Sequence, residues 1–317
     1  MAPKSNNSGL KIWRDGELVN WDDANIHIMS HVVHYGSSVF EGVRSYETPK
    51  GGAIFRAKEH ARRLVDSCRI YRMKFDYSAD DITQAMVETL AANDLKDAYL
   101  RPLVIRTGQS IGDYAPNATI ETWVITIPST PYLGHDSISK GVDARISSWR
   151  RPAPSTNPTM AKAGGNYLSS QLAKMEAVAD DYNEGIMLDT FGYLSEGSGM
   201  NVFCVRDGVL YTAPDAAGIL HGITRDTVMR MAADLGIEVK EQTMLREFLY
   251  TCDEVFFCGT AAEVTPVTSV DRIDVGDGKP GPVTLRIQKE YLGIASGKIP
   301  DRHGWLTHVP QPALVGR

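Results

Sequence analysis

The stretch Pro128–Gly134, rich in proline, serine and glycine, divides the 317-residue chain into two parts. Such a composition is typical of a connector rather than of a helix or a strand. A chain of this length is also too long for one minimal core, and typical domain sizes indicate about two domains. We therefore predict a small domain over residues 1–130, a connector over residues 131–141 and a large domain over residues 142–317.

Both parts mix helices and strands. Asp15-Gly16 is a turn pair that predicts a hairpin over residues 10–20, and Ser78 with Asp81 forms the capping-box pattern of a helix start. Apolar periodicity and β-branched runs mark the remaining elements. Strands are predicted at 99–107, 122–127, 142–149, 184–189, 200–205, 209–212 and 253–258. Helices are predicted at 57–73, 167–180, 224–235 and 282–292. The chain is therefore expected to adopt an α/β fold in which both halves are mixed.

The composition excludes several classes of protein. Lys and Arg number 33 against 39 Asp and Glu, so the net charge is −6 and a broad nucleic-acid-binding surface is not expected. The sequence has no run of about 18 apolar residues, which predicts no membrane span. It also lacks a stretch like a signal peptide. The four cysteines include no Cys-x-x-Cys pair, so we expect reduced thiols and a cytoplasmic location.

Lys162 lies in a segment that contains Gly164 and Gly165. A free lysine titrates at about 10.4 and is a poor nucleophile at neutral pH. An enzyme that joins a lysine to a carbonyl group therefore needs a confined pocket that lowers this value. Glycines allow a bulky group to approach the backbone closely. On its own, however, the segment is more typical of a solvated lysine on a loop.

The region around Glu196 changes this interpretation. Glu196–Phe203 is followed by Leu210-Tyr-Thr212 and, after seven more residues, by Leu220–Arg225. This spacing resembles the signature of class IV aminotransferases, the fold-type IV enzymes that use pyridoxal 5'-phosphate (PLP). Five further blocks are similar to those of branched-chain amino acid aminotransferases: His31–Gly42, Tyr99–Pro102, Ala161–Tyr167, Gly259–Pro266 and His303–Leu306.

The resemblance implies a two-domain fold-type IV aminotransferase with the active site between the domains. It implies reversible transfer of the amino group from L-leucine, L-isoleucine or L-valine to 2-oxoglutarate, which gives L-glutamate. In the family, the residue that matches Tyr35 reaches the site of the neighbouring subunit, so a homodimer or a higher homo-oligomer is expected. No metal is implied.

The resemblance also implies roles for the residues that hold the cofactor. Lys162 would be the catalytic residue, since it would bond covalently to the cofactor and then move a proton. Glu196 would accept a hydrogen bond from the pyridine nitrogen and keep it protonated. Arg63 would bind the phosphate through its fork of N–H donors, although Arg62 beside it is an alternative. The full set of implied cofactor residues is Arg63, Lys162, Tyr167, Glu196, Leu220, Ile223, Thr224 and Thr260.

The residues implied to contact the substrate combine apolar walls with donors for a carboxylate. Aromatic side chains would wall the side-chain pocket, and the backbone amides of Thr260 and Ala261 would receive the α-carboxylate. Taken singly, each aromatic residue is also typical of a core position. The implied substrate residues are Tyr35, Phe40, Gly42, Tyr99, Arg101, Tyr132, Thr260 and Ala261.

Other functions remain open at this point. The loop at 107–116 departs from the family pattern, and its Asp113 and Tyr114 could alter which substrates are accepted. The nearest alternative is another fold-type IV reaction, on D-amino acids, (R)-amines or aminodeoxychorismate; a PLP binder without turnover is more remote. Ser110 lies in a Gly-x-Ser-x-Gly pattern of serine hydrolases, but Pro116 disrupts the helix that such an elbow requires. His31-x-x-His34 is a weak metal pattern without a third ligand.

Overall fold

The fold was analysed on a computed structural model, which describes residues 7–109, 111–130, 132–134 and 136–310. The chain forms two compact units. The first contains the described residues up to Thr130, the short segment Ala161–Gly165 and the described residues from Ile294 onward. The second contains the described residues of Pro131–Met160 and the range Asn166–Gly293. Each unit mixes helices with a sheet, which confirms the predicted fold class.

The first unit is built on an antiparallel sheet with helices packed against it. Its strands are β1 (Lys11–Arg14), β2 (Glu17–Asn20), β3 (Ser38–Phe40), β4 (Val43–Thr48), β5 (Gly51–Phe55), β6 (Ala98–Arg106) and β7 (Ile120–Pro128), with a last strand at Leu306–His308. Its helices are α1 (His31–Tyr35), α2 (Ala57–Ile70) and α3 (Ala79–Ala92). From edge to edge the order is Leu306–His308, β5, β4, β6, β7, β1, β2, and β3 also pairs with β6.

The core of the first unit lies where α2 and α3 meet the sheet. Leu64 of α2 and Ile82 and Leu90 of α3 are fully buried against Val43 and Leu100 of the strands. The helix α3 begins at the predicted capping box, in which the Ser78 side chain accepts from the Asp81 backbone while the Asp81 side chain accepts in return. The predicted hairpin at 10–20 is also confirmed, with Lys11 opposite Asn20.

The second unit carries a mixed sheet. Its elements in chain order are α4 (Ser137–Lys140), β8 (Val142–Arg150), α5 (Tyr167–Ala179), β9 (Glu184–Leu188), β10 (Leu194–Gly197), β11 (Asn201–Arg206), β12 (Val209–Thr212), α6 (Ile223–Asp234), β13 (Val239–Glu241), β14 (Glu254–Gly259), β15 (Glu263–Val270), β16 (Ile273–Asp274) and α7 (Pro282–Ala295). The sheet order is β10, β9, β8, β15, β14, β11, β12, β13, with β16 on β15. The pairs β8–β9, β8–β15 and β12–β13 are parallel.

Buried strands and their hairpin turn position the functional segments of the second unit. Ile186, Val202, Phe257 and Val267 form the centre of its core. The turn between β14 and β15 holds Thr260 and Ala261. None of the helices in the described ranges has the length and apolar character that crossing a membrane requires.

Three features differ from the sequence analysis. The described residues from Ile294 onward pack with the first unit, where Leu306–His308 pairs with β5, although they were assigned to the large domain. The predicted connector at 131–141 contains the helical turn α4. The segment with Lys162 packs with the first unit, although it was assigned to the large domain because it follows the connector in sequence. The reason is a backbone bridge between Val39 and Ala163, which attaches the segment to β3. The domain boundaries themselves stay a prediction.

Candidate active site

Lys162 is fixed by its backbone in the first unit. The Phe40 N–H donates to the Lys162 carbonyl at 2.9 Å, and the Lys162 N–H donates to Ser67 Oγ at 3.1 Å. The side-chain Nζ lies 5.1 Å from the centre of the Phe40 ring. The lysine is half-buried on a segment held by a strand and a helix, which favours a role in a site over a fully solvated loop.

Four of the predicted substrate residues lie together in the same unit. The Arg101 guanidinium lies over the rings of Phe40 and Tyr99, at 4.5 Å and 5.3 Å from their centres, and its Nη2 donates to the Tyr99 hydroxyl at 2.9 Å. A Cβ added at Gly42 would lie 2.2 Å from that hydroxyl. Arg101 Nε is buried without a hydrogen-bond partner among the described residues. The cluster thus joins aromatic walls to a cation with an unsatisfied donor.

Arg63 lies on α2 and is paired within the protein. Its Nε and Nη2 donate to the two oxygens of Glu41 at 2.7 Å and 2.8 Å. His60 Nδ1 lies 2.7 Å from the same carboxylate. Arg62, the alternative phosphate ligand, is exposed, whereas Arg63 is partly buried, which favours Arg63 for a role in a site.

In the second unit, Glu196 is a buried carboxylate with a fixed orientation. Its Oε1 lies 2.9 Å from Arg151 Nη2, and its Oε2 accepts from Asn201 Nδ2 at 2.9 Å. The Leu220 N–H donates to Oε2 at 3.1 Å, and Arg151 Nε donates to the Gly218 carbonyl at 3.2 Å. A buried carboxylate needs such partners because its desolvation is costly. A surface carboxylate at Glu196 is therefore ruled out.

The predicted phosphate and carboxylate donors of this unit lie at a helix start and a turn. Ile223 and Thr224 are buried in the first turn of the 12-residue helix α6, whose N-cap, Gly222, has no side chain to cap it. Backbone N–H groups at such a position bind anions. Thr260 and Ala261 are half-buried in the β14–β15 turn.

The three predicted tyrosines have different surroundings. Tyr167 is half-buried at the start of α5. Tyr132 is 49% exposed, with Lys174 Nζ 5.8 Å from its ring centre. Tyr35 is 43% exposed, and its hydroxyl accepts from the Gly112 N–H at 2.8 Å.

Of the alternatives, the metal pair can be located in the structure. His31 Nδ1 lies 2.7 Å from Ser37 Oγ, and His34 Nε2 lies 3.1 Å from the Ile28 carbonyl. No group of three His, Cys, Asp or Glu side chains within the described ranges could hold a metal ion. Ser110, the hydrolase candidate, lies outside the described residues.

Sequence reasoning missed the partners that orient the predicted residues. Glu41, His60, Arg151 and Asn201 were given no role, although Glu41 and Asn201 lie inside the motifs that carry the resemblance. A carboxylate between Phe40 and Gly42, where apolar neighbours predict burial, was the signal that could have identified Glu41.

With this geometry in hand, the chain can be compared with known proteins. Residues 38–270 match the model of amino-transferase class IV, and the chain belongs to this family. It is 50% identical to a branched-chain-amino-acid aminotransferase of Salmonella typhimurium, over 94% of this chain and 97% of that protein. The predicted family is thus confirmed.

Solved structures give the same result. The crystal structure of branched-chain amino acid aminotransferase from Escherichia coli has a TM-score of 0.91 and 48% identity, covering 95% of this chain and 99% of that one. The branched-chain amino acid aminotransferase from Thermobaculum terrenum, solved in its PLP-form, has a TM-score of 0.89 and 35% identity, covering 96% of this chain and 100% of that one.

Proposed function

We propose that the chain is a PLP-dependent branched-chain-amino-acid aminotransferase. It transfers the amino group of L-leucine, L-isoleucine or L-valine to 2-oxoglutarate, and L-glutamate is formed. The observation that carries this function is the cluster in which a half-buried lysine lies beside Phe40 and the Arg101–Tyr99 pair. An amine, an apolar wall and a cation are the three groups that an amino-transfer site for both apolar and acidic substrates requires.

The residues present fit PLP. The cofactor has an aldehyde, a ring nitrogen and a phosphate, which need an amine, a carboxylate and anion donors. Lys162, the buried Glu196 and the arginine fork of Arg63 are these groups, and the start of α6 adds backbone N–H donors. When bound, PLP supplies an electron-withdrawing ring and carries the amino group between the two substrates.

Lys162 would hold the cofactor and act as the acid–base group. Its Nζ would take the proton from the substrate Cα and deliver it to C4′ of the cofactor, and the reverse half-reaction would move a proton from C4′ to Cα. The contacts of its backbone with Phe40 and Ser67 fix where the side chain starts, so the amine has a short, defined reach. Such positioning lowers the barrier to proton transfer because little freedom is lost.

Glu196 would hold a proton on the ring nitrogen. Arg151 and Asn201 each fix one oxygen of its carboxylate, and the Leu220 N–H contacts both oxygens. A preoriented carboxylate needs no reorganisation when charge develops on the ring, which is where electrostatic stabilisation acts most strongly.

Arg101 would allow one pocket to accept two kinds of side chain. Phe40 and Tyr99 contribute apolar surface for leucine, isoleucine or valine. The buried Nε of Arg101 would donate to the γ-carboxylate of glutamate or 2-oxoglutarate. Tyr132 and the amides of Thr260 and Ala261 would complete the substrate contacts, and Tyr167 would bond the phenolic oxygen of the cofactor.

We further propose a homo-oligomer, at least a dimer, in the cytoplasm. Leu168, Met175 and Val178 are each more than half exposed on α5, and soluble proteins usually cover such apolar patches. Tyr35 is available to a second subunit. The free, buried thiols of all four cysteines fit a reducing compartment. Light scattering on the purified chain would measure the mass of the assembly.

The proposed function is tested by changing Lys162. Lys162→Ala should abolish turnover of L-leucine and remove the visible absorbance of the protein-bound cofactor. Lys96→Ala, at an exposed pair with Glu47, is the matched control and should keep both. Borohydride reduction followed by peptide mass mapping should place the cofactor on Lys162. A label on another lysine, or full turnover in the variant, would overturn the proposal.

The choice of substrate is tested by titrating the cofactor-loaded protein. L-leucine should change the cofactor spectrum, and 2-oxoglutarate should restore it. A response to (R)-1-phenylethylamine or a D-amino acid alone would favour the other fold-type IV reactions. No response to any amine would favour a binder without turnover.

A further inference from the structure

The carboxylate of Glu41 is fully buried next to the arginine proposed to bind the phosphate. Oε1 accepts from Arg63 Nε at 2.7 Å, and Oε2 accepts from Arg63 Nη2 at 2.8 Å. The pair is therefore bidentate and uses one edge of the guanidinium. A two-point contact fixes the plane of the group, which a single contact does not.

The backbone of Glu41 is fixed as well. Its N–H donates to the Pro102 carbonyl at 2.8 Å, and the preceding residue, Phe40, donates to the Lys162 carbonyl. His60, one turn before Arg63 on α2, contacts Oε2 from the other side at 2.7 Å. One carboxylate thus links the helix with Arg63 to the strand beside Lys162.

We propose that Glu41 is a positioning residue, which sets the orientation of Arg63 for the phosphate of the cofactor. The inference rests on the proposed function, and it concerns a residue outside the proposed cofactor and substrate contacts. A preoriented arginine loses less side-chain freedom when an anion binds, so the phosphate is bound more tightly.

The charge of Glu41 alone would have the opposite effect on phosphate binding. A carboxylate close to an anion site repels the phosphate, so its removal would strengthen binding. The orientation effect must therefore exceed this repulsion, and the sign of the measured change decides between the two.

The test compares PLP with pyridoxal, which lacks only the phosphate. The ratio of their dissociation constants is measured by equilibrium dialysis. Free pyridoxal closes to a hemiacetal, but this step and the covalent step with Lys162 are common to all variants, so they cancel when the ratio is compared between variants. Glu41→Gln should reduce the preference for PLP by about tenfold or more, the range of one charge-assisted hydrogen bond. Glu47→Gln, which removes a carboxylate paired with Lys96 at the surface, should leave the ratio unchanged.

Arg63→Lys checks that the effect acts through the arginine. Lysine keeps the charge but cannot make a two-point pair, so Glu41→Gln in that background should alter the ratio by less than about threefold. An equally large effect there would overturn the proposal. So would an unchanged or increased preference for PLP in Glu41→Gln.

Two further results are informative. If Glu41→Gln does not fold, Glu41→Asp decides, because it keeps the charge but shortens the side chain: a reduced ratio supports the proposal and an unchanged one overturns it. If the unmodified chain binds PLP no better than pyridoxal, no phosphate anchor exists and the inference fails. If it binds neither, the proposed function fails first.

Discussion

Glu41 in the first unit and Glu196 in the second are both buried carboxylates held by an arginine, but they are held differently. Glu41 receives two hydrogen bonds along one edge of Arg63 and a third from His60. Glu196 is contacted by Arg151, by the neutral amide of Asn201 and by the Leu220 N–H, which reaches both of its oxygens. In the first pair, the carboxylate of Glu41 fixes the arginine at two points. In the second pair, Arg151 and Asn201 fix the carboxylate of Glu196.

The electrostatics of Glu41 follow from this arrangement. Burial opposes the ionised carboxylate, but the charge and hydrogen bonds of Arg63 and the contact of His60 outweigh it. The pKa of Glu41 therefore lies well below its usual range, and the carboxylate stays ionised. Breaking such a buried pair is costly because the buried cation loses a two-point contact with an opposite charge.

The largest expected effect is on stability. Glu41→Ala should lower the free energy of unfolding by about 3–5 kcal/mol, the range for a broken buried pair. Glu196→Ala should cost less, because Arg151 keeps its bond to the Gly218 carbonyl and Asn201 keeps its bond to the Leu220 carbonyl. Urea unfolding at one protein concentration measures both. The reverse order would show that the bidentate pair is not the stronger one.

The next largest effect is on the kinetics, and it should differ between Glu196 and Glu41. Glu196→Gln should reduce kcat by roughly 100-fold, the loss seen when one preorganised electrostatic group is removed, and cofactor affinity should change much less. Glu41→Gln should mainly weaken cofactor binding and keep most of kcat at saturating PLP. Steady-state kinetics with L-leucine at several PLP concentrations checks this. Equal losses of kcat in both variants would remove the distinction.

Smaller effects are expected from substituting Gly42, which lies beside Tyr99, and Gly222, which lies beside Asn201. A Cβ at Gly42 would lie 2.2 Å from the Tyr99 hydroxyl, and one at Gly222 would lie 1.9 Å from Asn201 Oδ1. Each alanine variant should cost about 1–3 kcal/mol through overpacking. Gly42→Ala should raise KM for L-leucine by displacing Tyr99, whereas Gly222→Ala should lower kcat by displacing Asn201 from Glu196.

Gly199→Ala is the matched control for the glycine pair. Its added methyl would lie 3.8 Å from the Tyr132 hydroxyl, which is an ordinary contact. Neither KM nor kcat should change by more than about twofold, as for most substitutions that create no clash. If Gly42→Ala behaves like this control, the Tyr99–Arg101 pair is more mobile than its hydrogen bond indicates.

Much of the fold could be predicted from local patterns. The Asp15-Gly16 hairpin and the Ser78 capping box depend on residues close in sequence, and both were found. The strands β4 and β5 were missed because β5 is buried at every position and shows no alternation. The strand β15 was also missed, and it contains Pro266, a residue type that is uncommon inside a sheet.

The site was predictable only in part, because the sequence displays local motifs but not the contacts between distant residues. Lys162 and Glu196 lie in motifs that the sequence displays directly. Some of their partners lie far away in the chain, as Ser67 lies 95 residues from Lys162, and such contacts exist only after folding. Sequence motifs thus named the residues that meet the cofactor, whereas the structure was needed to find the residues that orient them.

The smallest expected effect is on the pH dependence of stability, and it comes from His60, whose Nδ1 contacts Glu41. Burial lowers the pKa of His60, the hydrogen bond and charge of Glu41 oppose this, and the charges of Arg63 and Lys162 lower it further. The net pKa is lowered, so the folded chain keeps the imidazole neutral while the unfolded chain takes up a proton below about pH 6.5. Stability due to this group is therefore present above that pH and is lost as the pH falls.

His60→Asn should flatten this dependence. Asparagine places an amide nitrogen where Nδ1 contacts Glu41, but it does not titrate. The slope of the free energy of unfolding between pH 6.5 and pH 5 should fall by up to about 1.4 kcal/mol per pH unit, measured by urea unfolding in matched buffers. His308→Asn, at an exposed position, should leave the slope unchanged. An unchanged slope in His60→Asn would mean that this histidine is protonated in the folded chain, and Glu41 would then be balanced by two cations rather than one.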